Sequence, residues 1–297
     1  MEKINHKWIV LIGVIFVSFS SILIRMSEAP SLVIAGYRLG FTVLMLLPFV
    51  FRNKKEELKS IDRKSLITCL VSGVFLALHF ATWITSIKYT SIASSTVLVN
   101  THTVFIIAGT WFILKEKVSD KVFLSMGITL AGSIIISLGD HSMGSNVLYG
   151  DMLAILGAFF VAGYMMIGRI VRQRLSVTTY TFLVYSSCTL TLLLLAMITG
   201  TSLYPYPMEE WLIFIALAIF CTILGHSIFN WALEYINPTF LSTAILGEPV
   251  FATLWALILF HEVPALWQIG GSLLIIFGIY LYVQMNDEKN VVIQDEK

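Results

Sequence analysis

Apolar runs of about 20 residues recur along the whole chain, and they constrain its fold more than any other feature. Because a helix satisfies all its backbone hydrogen bonds within one segment, each run predicts a transmembrane α-helix. The sequence therefore predicts an all-α, polytopic membrane protein with ten transmembrane helices. We number them as spans one to ten: residues 8–26, 31–51, 66–87, 92–114, 121–139, 149–171, 177–199, 210–233, 239–260 and 265–285.

The composition excludes several other classes of protein. Of the 297 residues, 57% are hydrophobic and only 12% are charged, which no soluble domain of this size matches. The formal net charge of +1 gives no basic surface, so we expect no nucleic-acid partner. Cys69, Cys188 and Cys221 lie far apart inside apolar runs and indicate neither a disulfide framework nor a metal site. We expect no metal and no cofactor.

The positions of the basic residues predict how the chain is oriented. With the N-terminus in the cytoplasm, nearly all of the 19 lysines and arginines fall in cytoplasmic segments. Only Arg25 and Lys88 fall outside, and Arg38 lies within span two. An excess of positive charge marks the cytoplasmic side of a membrane protein. We therefore predict a multi-pass protein of the plasma membrane with both termini in the cytoplasm.

The two halves of the chain can be aligned as an internal repeat. Residues 101–118 match residues 247–264 at an offset of 146, which places Glu116 on Glu262 and Gly132 on Gly278. Since each half has five predicted spans, an odd number, the second half must enter the membrane upside down. Such inverted repeats are typical of secondary transporters and hold the substrate at their interface. The predicted units are 1–144 and 145–286, followed by a cytoplasmic tail, 287–297.

Several segments carry a specific resemblance. Span nine contains Glu-Pro and ends in a second glutamate, Lys-Glu closes span four, and "AGYRLGF", "LHFATW", "LGHSIFNWALEY" and "LGEPVFA" surround the intramembrane polar residues. With these features the chain resembles the EamA-type permeases of the drug/metabolite transporter superfamily. The resemblance implies alternating access through a central cavity, transport of a small metabolite, often as export, and homodimer contacts through spans five and ten. Thr103 stands where that family commonly has proline, so no proline kink is predicted there.

Glu248 and Pro249 stand side by side within span nine. At 1.5 Å per residue, Glu248 lies about 21 Å from Glu262, past the midplane toward the cytoplasm. Pro249 should kink the helix and leave the Ile245 carbonyl unpaired. An intramembrane acid is functional by default, so we predict that Glu248 holds a cationic group or exchanges a proton. The alternative is a structural carboxylate capped by a neighbouring helix.

Other polar residues fall into two predicted layers. His226 and Asn230 accompany Glu248 on the cytoplasmic side, whereas His79, Trp83, His102 and Arg38 lie in the outer half. Interhelical hydrogen bonds, helix packing and, for Arg38, snorkelling or pairing with an acid are the alternative interpretations. We predict a central cavity between spans one, three, four, six, eight and nine. Its predicted substrate-binding residues are Glu248, His226, Asn230, His79, Trp83, His102, Asn100 and Arg38.

Motifs of other functional classes are missing from the sequence. No G-x-x-x-x-G-K-[ST] loop could bind ATP, and neither H-E-x-x-H nor G-x-S-x-G occurs. We therefore predict no catalytic residue and a secondary transporter, an exporter with proton coupling through Glu248. An uptake permease for an amine or amino-acid-like solute and a membrane receptor without turnover are the alternatives. The substrate, a small-molecule metabolite, is left open.

Overall fold

A computed structural model describes residues 6–90, 92–113, 115, 119–137, 146–261 and 263–295. Every regular element in this part of the chain is helical. A π segment, Leu217–His226, lies between α11 and α12. The α-helices are α1 His6–Val17, α2 Phe19–Met26, α3 Ser31–Asn53, α4 Lys55–Ser60, α5 Arg63–Ser86, α6 Ile92–Asn100, α7 His102–Phe112, α8 Asp120–Ser137, α9 Val147–Val171, α10 Val177–Ile198, α11 Met208–Ala216, α12 Ser227–Ala232, α13 Pro238–Ile245, α14 Glu248–Phe260 and α15 Leu266–Asp295.

Seven helical stretches of the described chain are long and apolar enough to cross a membrane, and they match predicted spans one, two, three, six, seven, eight and nine. Leu266–Tyr282 is a shorter apolar helix within span ten. The segments of spans four and five are also helical, as α6 with α7 and as α8. The all-helical class is confirmed, while the count of ten membrane crossings stays a prediction.

Span nine is interrupted just before the Glu-Pro pair. Helix α13 ends at Ile245, a turn covers Leu246 and Gly247, and α14 begins at Glu248. Pro249 is thus the second residue of a new helix, where its missing N–H would have had no intrahelical partner. The interruption lies two residues upstream of the proline rather than around a kink in a continuous helix.

Span four is interrupted at the equivalent place without any proline. Helix α6 ends at Asn100 and α7 begins at His102, on either side of Thr101. Three consecutive side chains donate to carbonyls of the preceding turn: Thr101 to Leu98 at 2.5 Å, His102 Nδ1 to Val99 at 3.1 Å and Thr103 to Asn100 at 3.1 Å. Such bonds from side chains to backbone carbonyls compete with the regular helical hydrogen-bond pattern.

Helices of the two halves begin at corresponding positions. Four pairs of helices start 146 residues apart, the offset found in the sequence. The pairs of first residues are Ser31 and Val177, Ile92 and Pro238, His102 and Glu248, and Asp120 and Leu266.

Helices α8 and α15 pack against each other in antiparallel directions. A Cβ added to Gly132 would lie 2.6 Å from the Gly271 carbonyl oxygen, and one on Gly278 would lie 2.9 Å from the Ser125 carbonyl oxygen. Glycine at these positions therefore permits backbone-to-backbone contact. The 146-residue offset relates Gly132 to Gly278 and Ser125 to Gly271, so it exchanges the two contacts. Spans five and ten thus contact each other within one chain, and a homodimer through them stays a prediction.

The interior is built around α3, α5, α9 and α10, where α5 packs on α9 and α10 packs on both α3 and α5. Small residues allow the close approach of α5 and α9. A Cβ on Gly157 would lie 3.3 Å from Trp83 Cβ, and one on Gly163 would meet the Phe75 ring. Helix α1 approaches the π segment in the same way, since a Cβ on Gly225 would meet Val17.

Candidate transport site

Arg38 lies at the centre of the polar interior. Its side chain is fully buried on α3, so it does not snorkel to a surface. Its Nε donates to the Thr222 hydroxyl at 2.8 Å, and Nη1 donates to the Ser20 hydroxyl at 3.0 Å. The guanidinium carbon lies 4.7 Å from the centre of the Phe80 ring, while Nη2 has no partner. A buried cation is thus held by neutral groups and retains one free donor.

The π segment positions the acceptor for Arg38. Thr222 lies within this segment, and its hydroxyl donates to the Leu217 carbonyl, five residues earlier, at 3.2 Å. A π segment has more residues per turn than an α-helix and often marks a functional position. The four-residue spacing of Thr222, His226 and Asn230 predicts that these side chains form one polar stripe on a regular α-helix. The π segment changes the rotation from one residue to the next, and the spacing alone does not predict that change.

Glu248 presents a carboxylate that no described residue binds. The side chain is partly accessible although its neighbours Gly247 and Pro249 are buried, and it forms no hydrogen bond or ion pair with the described residues. It interacts electrostatically with Arg38 across the interior, without a direct ion pair. The carboxylate is therefore available to a ligand.

Two histidines complete this group. His226 ends the π segment, is partly accessible, and places its ring edge-on to Phe80 with centroids 5.6 Å apart. His79 is buried and donates from Nδ1 to the Gly157 carbonyl at 3.0 Å. Both histidines interact electrostatically with Arg38 and with each other. We name Arg38, His79, His226 and Glu248 the central polar cluster; it joins residues from both predicted layers.

Asn230 lies in a different hydrogen-bond network, which the sequence did not reveal. It is fully buried, accepts from the Tyr164 hydroxyl at 2.7 Å and donates to the Tyr185 oxygen at 3.0 Å. Tyr185 also contacts the Ser227 hydroxyl at 3.2 Å. Because a buried tyrosine hydroxyl needs a partner, tyrosines within apolar runs were the available signal. Asn230 ties α9, α10 and α12 together.

Of the other predicted site residues, Trp83 and His102 interact with His79 of the cluster, whereas Asn100 contacts α8. Asn100 donates to the Ser133 hydroxyl on α8 at 3.3 Å. Trp83 stacks on His79 with ring centroids 5.8 Å apart, and its Nε1 is buried without a partner. His102 is buried, interacts electrostatically with His79, and also leaves its Nε2 without a partner. Asn100 and Trp83 therefore take part in helix packing, and His102 lies at the break in span four.

Two carboxylates link the halves at opposite ends of the molecule. Glu210, on α11, accepts from the Ser27 hydroxyl at 2.5 Å and the Glu28 N–H at 2.7 Å. Glu57, on α4, accepts from the Ser176 N–H at 2.6 Å and the Ser176 hydroxyl at 2.7 Å. Burial disfavours the charged form of Glu57, but these hydrogen bonds outweigh it and lower its pKa.

Arg172 forms several hydrogen bonds and an ion pair at the end of the molecule that carries Glu57. It is buried and donates from Nε to the Asn230 carbonyl at 2.9 Å. Its remaining nitrogens bind the Leu175 carbonyl and the Glu234 carboxylate. In the sequence Arg172 stands among loop charges, and only the packing of α9 beside α12 brings it to these acceptors.

Spans four and nine contact each other through α7 and α13. Helix α7 packs on α13, where the hydroxyl oxygens of Thr110 and Thr239 lie 3.4 Å apart. The offset relates this pair of helices to α14 and α6. In the described residues, α6 and α14 form no comparable contact. Spans four and nine are thus in contact through α7 and α13.

A sequence profile of the EamA-like transporter family matches residues 7–138 and again residues 148–284. An uncharacterized transporter of Archaeoglobus fulgidus is 24% identical over 95% of this chain and 98% of its own length. The pseudopaline exporter CntI of Pseudomonas aeruginosa is 23% identical over 73% of this chain and 75% of its own. Human solute carrier family 35 member G1 is 25% identical over 85% and 71%.

A solved structure titled "Crystal structure of protein" has the same fold, with a TM-score of 0.78 and 15% identity, covering 95% of this chain and 97% of the other. The matched family and these named relatives are transporters rather than enzymes. The predicted family resemblance is confirmed. Two profile matches spanning most of its length show that the chain is a multi-pass membrane transporter of the EamA-like family, within the drug/metabolite transporter superfamily.

Proposed function

We propose that this protein is a secondary transporter that moves a small metabolite across the plasma membrane by alternating access between two inverted five-helix repeats. Helix starts 146 residues apart, antiparallel packing of α8 on α15 and two separate family matches support the repeats. With both termini cytoplasmic, as the basic residues indicate, the α7–α13 contact lies on the cytoplasmic side. We propose that it is a gate that opens and closes during alternating access.

Glu248 is the single observation that carries this proposal. A carboxylate inside a membrane protein with no hydrogen bond or ion pair from described residues is costly unless a ligand or a proton satisfies it. We propose that it binds the cationic group of the substrate or a coupled proton. The free Nη2 of Arg38 lies in electrostatic range of this carboxylate and could hold an anionic group of the same substrate. An amine that also carries a carboxylate fits both charges.

Export is the proposed direction. The pseudopaline exporter supports it, because that relative is named for export. The second candidate is proton-coupled uptake of an amine or amino-acid-like solute, which the unpaired Glu248 favours equally. Efflux and uptake assays with vesicles of one orientation separate the two. A receptor without turnover would bind the solute but support no counterflow.

The test begins with a thermal-shift screen of the purified protein against amines, amino acids and related metabolites, since a specific ligand stabilises the folded state. The ligand that emerges is then followed in proteoliposomes with and without a pH gradient. Glu248→Gln should abolish stimulation by the gradient and leave the protein folded. Glu209→Gln, a change of an exposed carboxylate on α11, is the matched control and should transport normally. Wild-type transport and pH response in Glu248→Gln would refute the role of Glu248.

A further inference from the structure

A cavity is lined by residues outside the central polar cluster. It has a volume of about 330 Å³ and opens between the end of α2, the start of α3 and the end of α5. None of its lining residues belongs to the central polar cluster. In the predicted orientation it faces the outer side of the membrane. The transport proposal therefore does not account for it.

Two basic side chains without an ion-pair partner among the described residues distinguish this cavity. Arg25 and Lys88 both line it, and they are the two basic residues that the sequence places outside the cytoplasm. Neither side chain forms an ion pair or hydrogen bond with the described residues. Glu210, which binds the lining residue Ser27, accepts hydrogen bonds from the Ser27 hydroxyl and the Glu28 N–H and forms no ion pair with either cation. The two cations are thus free to bind an anion.

A buried hydroxyl adds a donor to the same wall. Thr90 lines the cavity, is 5% exposed, and its Oγ1 has no hydrogen-bond partner. Gly150 on α9 brings Thr90 into place, because a Cβ there would lie 2.8 Å from the Thr90 nitrogen. A buried hydroxyl without a partner is unfavourable, and a bound acceptor would satisfy it.

The rest of the wall is mainly apolar: it consists of Ser27, whose hydroxyl is bound to Glu210, and of Ile24, Ile34, Ile84 and Ile87. From the two free cations, the orphaned hydroxyl and this apolar wall, we infer that the cavity binds the carboxylate or phosphate end of a small amphipathic molecule. Arg25 and Lys88 hold the anionic oxygens, Thr90 donates to one of them, and the isoleucines cover the apolar part. Both a soluble metabolite and a lipid headgroup have this chemistry.

Binding of butyl phosphate to the full chain tests the inference. Wild-type protein in phosphatidylcholine nanodiscs should bind it saturably in calorimetry, and butylammonium should not bind. The double variant Arg25→Gln/Lys88→Gln should lose at least tenfold in affinity, and Thr90→Val should lose severalfold. Arg52→Gln/Lys55→Gln, which removes two exposed cations at the opposite end, should bind like wild type. Unchanged melting temperatures establish that the variants are folded.

Nanodiscs that contain phosphatidylglycerol separate the two sources of the anion. If this lipid weakens butyl phosphate binding in wild type but not in the double variant, the natural occupant is a lipid headgroup; if it has no effect, the occupant is a soluble molecule. Equal affinity in wild type and in both cavity variants, or equal binding of butylammonium, overturns the site.

Discussion

The Nε of Arg38 donates to the hydroxyl of Thr222 at 2.8 Å, and this bond joins α3 to the π segment of span eight. Thr222 is placed for it by its own bond to Leu217, five residues earlier. The fully buried guanidinium thus depends on a local departure from α-helical geometry. Arg38 in turn interacts electrostatically with Glu248, His79 and His226.

Thr222→Val should destabilise the protein, because it removes the acceptor of Arg38 Nε and leaves a second buried guanidinium donor unpaired. We expect a loss of about 1–3 kcal/mol in the free energy of unfolding, measured by denaturant titration in detergent. Thr189→Val is the control: that hydroxyl bonds only to the Tyr185 carbonyl of its own helix, so the change should stay within about 0.5 kcal/mol. Equal effects of the two substitutions would contradict the role given to Thr222.

Gly132→Ala should weaken the packing of α8 on α15. The added methyl group would lie 2.6 Å from the Gly271 carbonyl oxygen, which is backbone and cannot move aside alone. Overpacking of this kind costs about 1–3 kcal/mol. Gly127→Ala on the same helix meets nothing within 4 Å and should stabilise the helix by about 0.5–1 kcal/mol. Melting temperatures of the two variants should therefore move in opposite directions.

Cysteines at positions 110 and 239 should form a disulfide on mild oxidation, because the two threonine hydroxyl oxygens lie 3.4 Å apart. The crosslink holds α7 on α13, so transport by the double variant should stop and return after reduction. Each single variant, Thr110→Cys or Thr239→Cys, should be insensitive to oxidation. The native cysteines are all buried and need no removal. Unimpaired transport by the crosslinked protein would show that this contact does not open during the cycle.

Glu57→Gln should lower stability near neutral pH and have a smaller effect in acid. Hydrogen bonds from Ser176 outweigh burial and lower the pKa of the folded carboxyl group, so its contribution is present above the unfolded pKa and is lost as pH falls through the folded pKa. Glu56→Gln is the control, since that neighbouring side chain is 86% exposed. Thermal melts from pH 7 to pH 3 test this. An effect of Glu57→Gln that is independent of pH would contradict it.

Much of the helix plan could be read from hydropathy alone. The predicted runs match the helices closely, and the alignment of Gly132 with Gly278 anticipated the offset at which the helices begin. The break in span four could not be predicted, because neither proline nor glycine marks it in the sequence; the side chains of Thr101, His102 and Thr103 bond to carbonyls of the preceding turn there. Glu116 and Glu262, the predicted ends of spans four and nine, lie outside the described residues.

Hydropathy, loop charge and a few motifs are properties of single segments, which explains why the amino-acid sequence by itself determined the membrane class and the family. Polar partners are not such a property, because they depend on how each helix is rotated and displaced against its neighbours. The wider turn of the π segment points the Thr222 hydroxyl toward Arg38. The packing of α9, α10 and α12 places Asn230 between Tyr164 and Tyr185. Only tertiary packing therefore decided which polar groups hold the helices together and which, like Glu248, have no hydrogen-bond partner among the described residues.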